Sequence, residues 1–107
     1  MIVKIEEAKR HDLPKWNVWF NTLATGDKIM LTLMYYNKGA KVPPHHHRHE
    51  QAGLVIKGKI KAIIGNKEAV LKEGDSYVCA ANEIHAFEAI EETEIMDAFS
   101  PPREEYR

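Results

Sequence analysis

Four histidines, His45, His46, His47 and His49, fall within five positions, with Arg48 interrupting the run. The cluster is internal, which sets an expression tag aside and leaves a solvated polar loop or a metal site. Imidazole is the commonest metal ligand near neutral pH. Side chains alternate along an extended segment, so His45 and His47 share one face and His46 points to the other. Two imidazoles spaced in this way can reach one ion. If the extended path continues, His49 and Gln51 lie on the same side. The Gln51 carbonyl oxygen is then a weaker third or fourth ligand, with His49 as its alternative. Farther along, His85 and Phe87 share a phase. A lone inward histidine is usually a hydrogen-bonded core residue, but beside a two-histidine pair His85 is the natural third nitrogen. Nitrogen donors with an amide oxygen suit one divalent transition ion, Fe, Ni, Zn, Mn or Cu, without choosing among them.

A second chemically informative stretch is Glu94-Ile95-Met96-Asp97-Ala98-Phe99. By alternation Ile95, Asp97 and Phe99 share a face. An ionisable Asp97 between apolar neighbours is costly to bury unless it is paired or functional. Either this face is the solvent side, or Asp97 stands in a cavity near the metal.

Short strands must position these groups. Glycines and polar clusters punctuate the chain, from Thr25-Gly26-Asp27 through Lys57-Gly58-Lys59 and Glu73-Gly74-Asp75 to Glu91-Glu92-Thr93. The runs between them predict strands at 29–36, 51–57, 59–64, 68–71, 76–79, 84–89 and 94–99. Regular short strands with turn signals indicate an all-β sandwich or barrel. Gly65-Asn66 reads as a tight hairpin turn. The chain reads as one domain, 1–107, with a lead-in at 1–14 and a tail at 100–107. The first dozen residues offer a short helix, limited by Pro14. The proline-rich tail cannot pair as a central strand and should lie on the barrel. Trp16 and Trp19 carry more aromatic surface than a small monomer leaves in water, which predicts a homodimer.

The balance of 15 basic and 16 acidic residues argues against a nucleic-acid partner, which needs a basic surplus on one face. No apolar run approaches the roughly 18 residues of a membrane span. The opening residues lack the order of a signal peptide, and a lone Cys79 excludes an internal disulfide, so a cytoplasmic setting is expected.

Gly39-(five residues)-His45-His46-His47-(three residues)-Gln51-(six residues)-Gly58 resembles the first cupin motif. Gly74-Asp75-(three residues)-Cys79, running on to Asn82-Glu83-Ile84-His85, resembles the second. The resemblance implies a single cupin barrel, a double-sheet jelly roll with one metal in its mouth and frequent dimerisation. Gln51 stands where the first motif usually has Glu. Ala80 and Asn82 replace the Pro and Gly of the second, and Ala89 its final Asn. Asn82 tolerates the left-handed conformation a tight turn needs.

The ending Asp97-Ala98-Phe99-Ser100-Pro101-Pro102-Arg103 resembles that of small cupins that include an enzyme linearising unsaturated monouronates of pectin and alginate. That likeness implies metal ligands at His45, His47, Gln51 and His85, with Asp97, Phe99 and Arg103 around the substrate. Arg103 can grip a carboxylate, although it also reads as a surface charge in a tail. Three functions follow: a lyase or isomerase of a small carboxylated sugar, a dioxygenase of a small enol or phenol, and a non-catalytic small-molecule-binding barrel. Asp97 with Arg103 favours the first. The partner expected is a small anionic or enolisable substrate.

Overall fold

The computed structural model describes residues 1–107. Ten strands follow in order: β1 Lys9–Leu13, β2 Val18–Thr25, β3 Met30–Tyr36, β4 Lys41–His45, β5 Glu50–Lys57, β6 Lys59–Ile64, β7 Lys67–Lys72, β8 Ser76–Cys79, β9 His85–Ala89 and β10 Thr93–Ser100. They form two antiparallel sheets, ordered β1-β2-β3-β10-β5-β8 and β4-β9-β6-β7. The architecture is an all-β jelly-roll sandwich, in which the sheets face each other without closing into one hydrogen-bonded cylinder. No helix is long and apolar enough to cross a membrane.

The seven expected strands are present, with ends shifted by at most one residue. In β3 and β10 burial alternates strictly, as it must when one face of a sheet meets the core. Gly65 takes a positive φ of 60° at the first position of the β6–β7 turn, as a type II′ hairpin requires.

Three strands were not expected. The opening segment forms a 3-10 turn at Ile5–Glu7 and then β1, rather than a short α-helix. Backbone pairing decides it, because Lys9 to Leu13 run in register against Thr22 to Val18 of β2. Strand β4 carries Pro43 and Pro44, which cannot donate to a ladder. It tolerates them because it lies at the edge of the small sheet.

The core lies between the sheets and includes Phe20, Tyr36, Val42, Val55, Ile60, Phe87 and Ile95. The aromatic segment from Trp16 to Phe20 does not offer the free surface expected of it. Phe20 is fully buried, and Trp16 packs against the core. Trp19 stacks on Tyr35 at 3.9 Å between ring centres, with the Arg10 guanidinium 4.0 Å from its own ring centre. The tail lies on the sandwich, as anticipated: Pro102 is buried, and Tyr106 packs 4.5 Å from the Phe20 ring.

Phe20 joins β2, the tail and His11, whose ring stacks on it at 4.6 Å. Phe20→Ala should therefore cost about 3–5 kcal/mol in denaturant unfolding, with the slope of the transition unchanged.

Candidate metal centre

The site forms at one end of the sandwich, where both sheets contribute. His45 ends β4 and His85 opens β9, and the two are register partners in the small sheet. Gln51 of β5 and Phe99 of β10 are register partners in the large sheet. The loop between β4 and β5 carries His46, His47, Arg48 and His49. Asn82, at φ 64°, donates its backbone N–H to the His47 carbonyl at 2.7 Å. The left-handed turn of the second motif thus anchors the histidine loop of the first.

Each of three imidazoles is held by its Nδ1 atom. His45 donates to the Pro43 carbonyl at 2.9 Å, His47 to the His49 carbonyl at 2.9 Å, and His85 to the Glu83 carbonyl at 2.8 Å. A carbonyl only accepts, so Nδ1 carries the proton and Nε2 presents its lone pair. The ligating atoms of His45, His47 and His85 lie within 4.8 Å of one another, a group able to hold a metal ion. The His85 Nε2 is buried with no hydrogen-bond partner. His47 Nε2 faces Gln51 Oε1 at 3.1 Å, lone pair towards lone pair, which a shared cation satisfies. These residues fit a divalent ion. His49 lies outside the three-histidine group and supplies the carbonyl that holds His47.

Burial keeps the imidazoles neutral. It lowers the pKa of His85 to about 4, aided by the Arg103 charge and by the repulsion that protonating His45 or His47 alongside it would bring, and opposed by the bond to Glu83. His45 and His47 are also lowered, chiefly by burial.

Alternation along β10 turns Ile95, Asp97 and Phe99 inward, at 0, 0 and 2% exposure, so this is not the solvent face. Burial pushes the Asp97 carboxyl up to about 7. The Tyr77 hydroxyl opposes that shift by donating to Oδ1 at 2.6 Å. The Gln51 side chain, nearby without hydrogen-bond geometry to it, acts in the same direction. Asp97 Oδ2 is buried without a partner. Arg103 is not a free surface charge: its side chain is 16% exposed and its guanidinium lies 4.3 Å from the Tyr106 ring centre and 5.5 Å from that of Phe99. Its Nε reaches Glu105 at 3.4 Å. A cavity of about 30 Å³ lies among Trp16, His45, Gln51, Phe99, Arg103 and Tyr106. A larger cleft of about 480 Å³ opens on the outer face of the small sheet beside Trp16 and includes none of the polar groups above.

Sequence reasoning missed Tyr77, Trp16 and Tyr106 as neighbours of these groups. One signal was available: Gly53 interrupts an otherwise β-favourable strand, which marks a close approach by another group.

The cupin domain family profile matches residues 32–99. A pectin degradation protein named KdgF, from Dickeya dadantii, is 34% identical over 82 residues, 75% of this chain and 74% of its own. Among solved structures, KdgF from a Halomonas species superposes with a TM-score of 0.92 at 24% identity, covering 100% of this chain and 98% of that one. An RmlC-like cupin from Shewanella frigidimarina gives 0.92 at 24% identity, covering 99% and 95%. At that identity both report the fold alone.

Protons compete with metal at and below a ligand's own pKa. Because burial lowers all three, the loss of zinc affinity on acidification, measured against a competing chelator, should set in below about pH 6.5, where free imidazole titrates. A loss that sets in at or above that pH would mean the imidazoles are not desolvated. His47→Ala should abolish stoichiometric binding.

Proposed function

The chain belongs to the cupin domain family, and on that premise we propose that it is a metal-dependent enzyme that linearises or tautomerises an unsaturated sugar acid. One observation carries the reading. Asp97 is fully buried and drawn towards neutrality beside Gln51, whose Oε1 lies 3.1 Å from His47 Nε2 of the three-histidine group. A general acid–base works best with its pKa near the working pH. At about 7 both forms of Asp97 are populated in neutral solution, so it can move a proton between carbon and oxygen. The name of the relative from Dickeya dadantii, a pectin degradation protein, supports a uronate as substrate.

The roles divide as follows. His45, His47, His85 and Gln51 would hold the ion, which supplies Lewis-acid polarisation of a substrate oxygen. Arg103 receives the carboxylate with its planar fork. Phe99 packs against the sugar face. The cavity, about 30 Å³, is smaller than any sugar acid, and Arg103 and Tyr106 of the tail are among the side chains lining it, so a substrate needs its lining to give way.

The protein also reads as a homodimer, on a surface other than Trp16–Phe20. Cross-strand partners Leu31, Ala98, Ala52 and Val78 form one uncharged row on the outer face of the large sheet. Leu33, Met96 and Leu54 form most of the next row. The outer face of the small sheet carries the ion pairs Lys41–Glu88 and Lys61–Glu68 instead. A second copy can offer the same large-sheet face about a two-fold axis. Cys79, a buried free thiol, needs no oxidising compartment and supports a cytoplasmic setting.

The metal-loaded protein, mixed with an unsaturated monouronate, should bleach the absorbance of the conjugated enol. Asp97→Asn should lower kcat by about 10²–10⁴-fold with metal retained, and Arg103→Ala should chiefly raise KM. An inert wild type that instead consumes oxygen with enols would establish the dioxygenase. Light scattering should give a dimer mass for the wild type and a monomer mass for Leu54→Glu.

A further inference from the structure

We infer that Tyr77 is a positioning residue for Asp97, and that Gly53 exists to let it reach. The inference rests on the reading of Asp97 as the proton carrier. In the large sheet Thr32, Asp97, Gly53 and Tyr77 are successive register partners across β3, β10, β5 and β8. They form one row, with the side chains of Thr32, Asp97 and Tyr77 turned towards the other sheet. Tyr77 and Asp97 are two strands apart, beyond ordinary cross-strand reach for a short side chain. Their bond at 2.6 Å passes over the strand between them. A Cβ at Gly53 would overlap the Tyr77 phenol and the Asp97 Oδ1 atom. Glycine inside a strand gives up packing and backbone entropy. Here the space it leaves is filled by the tyrosine–aspartate bond.

The bond treats the two carboxyl oxygens unequally. Oδ1 accepts from Tyr77, while Oδ2 is buried with no partner. On the other flank Thr32 Oγ1 is also buried without a partner and makes no bond to Oδ2. Most buried polar atoms have a partner. Here one hydrogen bond fixes the rotation of the carboxyl and leaves its second, buried oxygen as an unused acceptor. Positioning of this kind acts on turnover, because a reacting group misplaced by a fraction of an ångström loses rate more than affinity.

Tyr77→Phe keeps the ring and removes only the hydroxyl. In the metal-loaded enzyme with an unsaturated monouronate, kcat should fall about ten- to hundredfold while KM stays within about twofold. In an Asp97→Asn background the same change should have no further effect, since the carboxyl it positions is gone. Wild-type kcat in Tyr77→Phe, or an equal further loss in the double variant, would overturn the inference. A second readout is independent of turnover: the infrared carboxyl bands of Asp97, assigned by their loss in Asp97→Asn, should shift in Tyr77→Phe. Should the wild type turn over no uronate, the proposed reaction fails, and the bands decide the bond alone. Unchanged bands would overturn it.

Discussion

Desolvation at one end of the sandwich is the constraint on which the site depends. Burial is the leading cause of the shift at His45, His47, His85, Asp97 and Cys79. Its sign differs by chemistry, as it must when low polarity disfavours whichever form is charged. The imidazoles are pushed towards neutrality, which readies them as ligands. The Asp97 carboxyl is pushed up to about 7 and the Cys79 thiol to about 12, which leaves the first part-protonated near neutrality and keeps the second a thiol. A wetter site made of the same residues would have histidines that begin to protonate just below neutral pH and an ordinary, fully ionised carboxylate.

That dryness comes from the two sheets and the tail together. The small sheet brings His45 and His85, and the large sheet brings Gln51, Asp97 and Phe99. The tail brings Arg103 and Tyr106, which line the cavity. Each imidazole is aimed by a carbonyl two residues away, so ligand direction is set locally while ligand proximity is set by the fold.

Local readings of the sequence succeeded where structure is local. Period-two alternation placed β3, β5 and β10 and grouped Ile95, Asp97 and Phe99, but left open whether their face met solvent. Only the second sheet resolves that. Strands β1 and β4 were hidden for opposite reasons. β1 is the charged edge segment Lys9-Arg10-His11-Asp12-Leu13, whose burial pattern carries no strong alternation. β4 contains two prolines that strand patterns reject, and it survives only because it lies at an edge. The spacing of His45, His47, Gln51 and His85 was legible because both motifs are short. The Thr32–Asp97–Gly53–Tyr77 row was not, since it is a product of register among four strands far apart in sequence.

The identity of residue 51 follows from the charges around it. A carboxylate there would lie diagonal to Asp97, beside its register partner Gly53, and would repel its charged form, raising a pKa that burial has already raised. Gln51 acts the other way and favours the charged form. An amide also leaves three neutral imidazoles and no anion among the candidate ligands, so the full charge of a divalent ion stays available to a substrate oxygen. Arg103 adds a further positive charge, close enough to lower His45, His47 and His85. Arg103 is the one charged side chain among the residues that line the cavity. The glutamine that departs from the usual motif therefore partly offsets the burial that pushes the neighbouring Asp97 carboxyl up to about 7.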